Sequence, residues 1–225
     1  MDDKQLVGLR AASYVESGMV VGLGTGSTAN HFLHELGRRV REERLDVKVV
    51  ASSFPTAFLA AELGLPLLGV DQVARLDLYA DGADEVTPAR DLLKGRGFDL
   101  VKEKILAQAS ARFVVFVDSS KLVGRLGTRF PIPVEVLPFA VRTVQRRLEG
   151  LGGRAAVRLT PQKDAVVITA QGNLVLDTVF DPSVDVVSLD GSLRSIAGVA
   201  EHGIFPGQGL VSVVLVAEGG VVSER

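Results

Sequence analysis

Apolar and polar positions along the chain follow two alternating periods. All-apolar or nearly all-apolar runs at 19–23, 47–52, 66–70, 112–117 and 210–218 are bounded by glycines, prolines and charges. Their length predicts strands, and 19–23 and 112–117 in particular read as strands fully buried in a parallel sheet. The run 76–80 differs: Leu76, Leu78 and Ala80 alternate with Asp77 and Tyr79, the pattern of a half-buried strand. Between these runs the apolar spacing becomes helical. Leu6, Leu9, Ala12 and Val15 mark a first helix; Phe32, Leu36 and Val40 mark a second. A third has Pro55 near its start and Gly64 at its stop, and a fourth carries Glu103 and Lys104.

Beyond Phe130 the texture changes. Pro131, Pro133 and Pro138 punctuate a strand, 141–151 reads as a helix ended by Gly152 and Gly153, and 155–159 as a strand. A hairpin is expected from 166–169 and 174–177, a helix over 184–193, and a strand over 198–205. This is a β-α-β-β-α-β order, the split unit of a small α+β domain. The fold class expected is therefore α/β: an open, mostly parallel Rossmann-like sheet with helices on both faces, plus a smaller ferredoxin-like α+β domain acting as a lid. Residues 1–128 and 207–225 would form the discontinuous main domain and 129–206 the lid.

Composition narrows the class. With 225 residues, 47% hydrophobic, the chain can bury one large core or two modest ones. A formal charge of -2, with Lys and Arg scattered, leaves no basic face for nucleic acid. The absence of cysteine excludes disulfides and thiolate metal sites. The apolar runs are strand-sized, so no membrane partner is expected, and the N-terminal residues lack a signal pattern; the reading is cytoplasmic. His31 and His34 lie three apart on one helix without an evident third ligand, and His202 beside Glu201 reads as structural, so no metal is expected.

Two stretches carry candidate chemistry. Gly24-Thr25-Gly26-Ser27-Thr28 sits between a buried strand and a helix, an arrangement that offers backbone N–H groups and a positive helix end to an anion. It lacks the lysine of a Walker A loop and the third glycine of a dinucleotide fingerprint. Ser27 and Thr28 are at the same time ordinary helix N-caps. The second stretch runs from Leu76 to Lys104. It places Asp81, Asp84 and Glu85 in a loop at the carboxyl end of a strand, where open α/β sheets hold ligands. It then delivers Lys94 into a glycine turn, followed by a helix with Glu103 and Lys104. Carboxylates and an ammonium suit proton transfer next to a carbonyl. A solvated acidic loop is the plainer alternative, weakened by Gly82 and Ala83, which leave little bulk between the acids.

At these residues the chain resembles the type A ribose-5-phosphate isomerase family. The resemblance rests on GLGTGSTA at 22–29, DGADE at 81–85, KGRG at 94–97, Glu103-Lys104, DSSK at 118–121 and PVEVLPFA at 133–140, in the family's order across nearly the whole chain. It implies an aldose-ketose isomerase of the non-oxidative pentose phosphate pathway that interconverts ribose 5-phosphate and ribulose 5-phosphate through an enediol, without cofactor. It also implies a homodimer or homotetramer. By the same resemblance Glu103 is the base between C1 and C2, Asp81 and Asp84 handle hydroxyls or ring opening, and Lys94 steadies the oxyanion. Thr25, Gly26, Ser27, Thr28, Lys121 and Lys4 hold phosphate or hydroxyls, and Gly82, Ala83, Gly95, Arg96 and Gly97 line the substrate. One departure stands out: the family's usual run after the lysine is KGGG, and Arg96 replaces a glycine here. Two other classes share such a scaffold: a sugar-phosphate sensor, and an enzyme of the amino-sugar deaminase or CoA-transferase type.

Overall fold

The computed structural model describes residues 2–97 and 99–225. In chain order the elements are α1 (Asp3–Ala12), β1 (Val20–Leu23), α2 (Ser27–Glu42), β2 (Lys48–Ala51), α3 (Phe54–Glu62), β3 (Leu78–Asp81), β4 (Glu85–Val86), β5 (Leu92–Leu93), α4 (Leu100–Ala109) and β6 (Phe113–Asp118). There follow β7 (Ile132–Val136), α5 (Val141–Gly150), β8 (Gly153–Val157), β9 (Leu174–Phe180), α6 (Asp190–Arg194), β10 (Val199–His202), β11 (Ile204–Phe205), β12 (Val213–Glu218) and β13 (Val221–Glu224). They group into two compact units: 1–83, 102–122 and 208–225 in one, 84–101 and 123–207 in the other.

The first unit is built on a six-stranded sheet of order β13-β12-β6-β3-β1-β2, parallel except for β13. Most of its strands are the apolar runs of the sequence, because a parallel strand has no wet face; β3, expected to be half-buried from its alternation, is buried along its whole length. Val21, Leu23, Leu78, Ala80, Val114, Phe116 and Leu215 pack with Val7 and Ala11 of α1 and Phe32, Leu33 and Leu36 of α2 in one core. Phe32 stacks on Phe116 at 5.9 Å between ring centroids. Each fully buried valine, leucine or phenylalanine among them contributes about 1.5–3 kcal/mol. The strand order reverses between β1 and β3: β1 leads outward to β2, whereas β3 leads the other way to β6. That topological switch point is where doubly wound sheets open a crevice at the carboxyl ends of their strands.

The second unit holds a four-stranded antiparallel sheet, β10-β7-β9-β8, whose sequence order with α5 and α6 is the expected β-α-β-β-α-β. Val134, Val136, Leu176 and Phe180 of the sheet pack with Val144 and Leu148 of α5 and Leu193 of α6. A small three-stranded sheet, β11-β5-β4, belongs to the same unit.

Several expectations need correction. The run 66–70 forms no strand; Pro66 and Leu68 each share one bond with Val49, and the chain then turns into a 3-10 helix at Val70–Gln72. Proline removes one ladder donor and Gly69 ends the run. Residues 166–169 make only isolated bridges. The helix over 184–193 divides into a 3-10 turn at Val187–Leu189 and the short α6. The strand over 198–205 is split by Gly203 into β10, paired with β7, and β11, paired with β5. A Cβ on Gly203 would stand 2.3 Å from the Lys94 carbonyl oxygen, so only glycine lets the backbones come this close. Residues 84–101 group with the second unit rather than the first, because β4 and β5 pair with each other and β5 with β11.

Candidate active site

Asp81 is the last residue of β3 and fully buried, not a residue of the loop beyond the strand as its sequence context predicts. Its carboxylate accepts from the backbone N–H groups of Gly82 (2.7 Å) and Thr25 (3.1 Å) through Oδ1, and from the Tyr79 hydroxyl (2.5 Å) through Oδ2. Two of these donors come from β3 and its exit, the third from the loop after β1, so the carboxylate bridges the two sides of the switch point. The loop can approach because residue 24 is glycine: a Cβ there would lie 2.1 Å from Asp81 Oδ1.

Tyr79 precedes Asp81 by two residues on the same face of β3. Burial, followed by the charges of Asp81 and of Glu103, holds its phenol well above the usual tyrosine range. The hydroxyl is therefore a standing donor, and both carboxylates lie within electrostatic reach of it. Glu103 occupies the first turn of α4 and is buried. Thr25, expected on phosphate or hydroxyls, turns its hydroxyl inward: Oγ1 is 2.7 Å from Ser53 Oγ, 2.8 Å from Ser52 Oγ and 3.1 Å from Thr56 Oγ1. Thr56 in turn donates to the Gly24 carbonyl at 2.9 Å. This hydroxyl cluster fixes the shape of the glycine loop.

The N-terminus of α2 has no side-chain cap. Gly26, not Ser27 or Thr28, is the N-cap residue, and Gly26 and Ser27 are exposed. Uncapped amides at a helix start favour an anion. Lys4 Nζ lies 3.4 Å from Ser27 Oγ. Lys121 lies in the 3-10 turn after β6 and, like Lys4, within electrostatic reach of Asp118. Burial pushes the Asp118 carboxyl up, but bonds from Ser120 and the charges of Lys121 and Lys4 outweigh it and hold it below its usual range.

The second unit carries the remaining expected residues. Asp84 accepts from the Arg96 N–H at 3.3 Å through Oδ2. Lys94 is buried, its backbone N–H bonded to the Gly203 carbonyl (2.9 Å) and its ammonium 5.8 Å from the centroid of the Phe205 ring. Gly95 turns the chain at φ 96°, where a Cβ would meet Leu100 at 2.9 Å. Arg96, the departure from the family pattern, stacks its guanidinium 3.8 Å above the Phe130 ring, so its side chain is engaged in a cation-π contact. Glu85 lies in β4 rather than in the loop after β3. It is buried and receives the N–H groups of Gly127 (2.7 Å), Arg129 (2.6 Å) and Phe130 (3.0 Å). The sequence reading missed Tyr79, Ser52, Ser53 and Thr56. Tyr79 was detectable from its two-residue spacing to Asp81; the hydroxyls reach Thr25 only through tertiary structure.

A buried acid bonded to a glycine loop, with an uncapped helix end and two lysines nearby, at the switch point of a parallel sheet, marks a doubly wound α/β enzyme. Comparison with known proteins makes this specific. Residues 48–220 match the family model described as ribose 5-phosphate isomerase A (phosphoriboisomerase A). The ribose-5-phosphate isomerase A of Thermosynechococcus vestitus is 48% identical over 216 residues, 96% of this chain and 91% of that protein. The solved structure of ribose 5-phosphate isomerase A from Methanocaldococcus jannaschii is 43% identical, with a TM-score of 0.93 over 100% of this chain and 98% of that one. A D-ribose-5-phosphate isomerase solved in complex with phospho-erythronic acid is 35% identical, with a TM-score of 0.94 over 100% and 99%. The chain belongs to the ribose 5-phosphate isomerase A family and is an isomerase.

Proposed function

We propose that the chain interconverts D-ribose 5-phosphate and D-ribulose 5-phosphate through an enediol, without a cofactor, as a step of the non-oxidative pentose phosphate pathway. The observation that carries this reading is the fully buried Asp81, bonded to the Tyr79 hydroxyl and to the glycine loop at the switch point, together with the buried Glu103 in the first turn of α4. Paired carboxylates in water-poor surroundings are what a proton shuttle between adjacent carbons needs.

In the forward direction Glu103 takes the C2 proton of the open-chain aldose. The C–H electron pair becomes the C1=C2 bond, and negative charge collects on O1, where Lys94 stabilises it. O1 gains a proton, O2 loses one, and Glu103, whose carboxyl proton exchanges with solvent in competition with transfer, delivers a proton to C1. Asp81 and Asp84 serve the hydroxyl transfers and ring opening. The 5-phosphate lies at the N-terminus of α2, at Gly26 to Thr28, with Lys4 and Lys121. Thr25 serves by its backbone and by shaping the loop, since its hydroxyl is bonded within the serine-threonine cluster. Gly82, Ala83, Gly95, Arg96 and Gly97 line the sugar through backbone groups. Binding of phospho-erythronic acid by the relative supports a phosphorylated sugar chain as ligand.

Incubation of the purified protein with ribose 5-phosphate in the presence of excess chelator tests the reading. Ribulose 5-phosphate should accumulate to equilibrium. No ketose with or without chelator sinks the reading, and activity that chelator removes and a divalent ion restores sinks its cofactor-free part.

A further inference from the structure

The turn that carries Lys94 contains two glycines, Gly95 and Gly97, and little in its own sequence restrains it. Its conformation is imposed from outside. Arg158, just past the end of β8, pairs with Asp177 of β9 in a bidentate manner, Nε to Oδ2 at 2.9 Å and Nη2 to Oδ1 at 2.5 Å. The two side chains are diagonal neighbours on one sheet face: Arg158 bonds through its N–H to Val175, two residues from Asp177 on β9. With two nitrogens fixed by the carboxylate, the third, Nη1, donates to the Gly95 carbonyl at 3.0 Å and to the Arg96 carbonyl at 3.4 Å. Asp84 holds the same turn by its other polar edge, accepting from the Arg96 N–H.

We propose that Arg158, oriented by Asp177, is a positioning residue for the isomerisation: it locks the Lys94–Gly97 turn so that the Lys94 ammonium and the turn's amides face the substrate in one arrangement. This rests on the isomerase reading above. The chemistry requires a guanidinium, because only its planar fork can satisfy a carboxylate bidentately and still direct a donor at two carbonyls. Lysine has a point charge and no fork. The pair is neither a surface decoration nor a core salt bridge. The Arg158 side chain is 11% exposed, Asp177 is 26% exposed, and beside them is a cavity of about 340 Å³ lined by Arg96, Phe130, Arg158 and Asp177.

The test uses Arg158→Ala, Arg158→Lys and the double variant Arg158→Ala/Asp177→Ala, with wild type alongside. Amide hydrogen exchange over residues 92–100 reads the turn without reference to activity, and kcat and KM for ribose 5-phosphate read the chemistry below the melting temperature of each variant. A displacement of the order of 1 Å costs about a hundredfold in rate. Arg158→Ala should therefore exchange faster at residues 96 and 97 and lose kcat by about 10- to 100-fold, with KM moving about threefold or less. Arg158→Lys should fall between it and wild type. The double variant should be no worse than Arg158→Ala, since Asp177 acts through the arginine. Guanidinium ion at low concentration, entering the adjoining cavity, should recover part of the kcat of Arg158→Ala and none of any loss in Arg158→Lys. Unchanged exchange at residues 96 and 97, or wild-type kcat in a folded Arg158→Ala, overturns the positioning role. A wild-type protein that makes no ketose overturns the isomerase reading instead, and the exchange result then stands as a statement about the turn alone.

Discussion

The Tyr79 hydroxyl donates to Oδ2 of Asp81 across two residues of one strand, at 2.5 Å and with both side chains fully buried. A neutral phenol is thereby fixed on one oxygen of an acid whose other oxygen takes two backbone N–H groups. Removing the phenol oxygen should leave the ring's packing on Phe113, at 4.9 Å, intact. It should also leave Asp81 short of one donor. A charged hydrogen bond of this kind is worth about 1.5–3 kcal/mol, or roughly a 10- to 150-fold change in an equilibrium. Tyr79→Phe should accordingly lower kcat by about tenfold or more while KM for ribose 5-phosphate stays within about threefold. Steady-state kinetics check this; a KM effect alone would place Tyr79 in substrate binding.

Much of the fold was legible because parallel strands buried on both faces leave unmistakable apolar runs: 19–23 and 112–117 appear as β1 and β6 with ends moved by about one residue. The β-α-β-β-α-β order of the antiparallel unit was legible by another signal, turn residues and helix spacing. What failed was local. At 66–70 the apolar character was real but Pro66 and Gly69 limit pairing, and around Gly203 one apolar run serves two sheets. In the site, acids and lysines could be named from their spacing. Their engagements could not: that Thr25 is consumed by Ser52, Ser53 and Thr56, or that Arg96 lies on Phe130, depends on residues distant in sequence.

Phosphate binding has its own signature. Lys121 and Lys4 both act on Asp118, and Lys4 reaches Ser27 at the open start of α2. Lys121→Ala should raise KM for ribose 5-phosphate by about tenfold or more, the weight of one charged hydrogen bond. Any turnover of unphosphorylated ribose should be nearly unchanged. Parallel losses on both substrates would assign Lys121 to the fold or the chemistry.

Glu135 makes a prediction about stability. It is fully buried in β7, and Thr169 and Asn173 donate to its Oε1 at 2.8 and 2.9 Å. Burial raises its carboxyl above the ordinary 4.5, the two donors lower it, and the charge of Glu201, opposite it on β10, raises it again, with a net upward shift. A raised value means that the folded chain binds this proton more tightly than the unfolded one. The contribution to stability is thus greatest below the ordinary value and is lost as pH rises through the raised one. Glu135→Gln carries no charge to bury. The difference in Tm between Glu135→Gln and wild type should therefore grow in favour of the variant as pH climbs from about 4.5. Thermal melts across pH 4 to 8 in roughly half-unit steps would show it; a difference that is flat or runs the other way removes the buried-charge penalty.

The central claim is that Glu103 moves the proton between C1 and C2. A carboxylate is a weak base toward a sugar C–H, so exclusion of water and a stabilised oxyanion must supply the rest. Glu103→Gln keeps shape and hydrogen-bonding reach but cannot accept a proton. Its kcat should fall by about a hundredfold to ten-thousandfold, the usual cost of losing a general base, with substrate affinity little changed. The most direct measurement follows the C2 hydrogen of ribose 5-phosphate by NMR in deuterated water, with wild type and with Glu103→Gln. Wild type should wash deuterium into that position and Glu103→Gln should not. Exchange at the wild-type rate in Glu103→Gln, together with its loss in Asp81→Asn or Asp84→Asn, would contradict the assignment and move the base to the acids that follow β3.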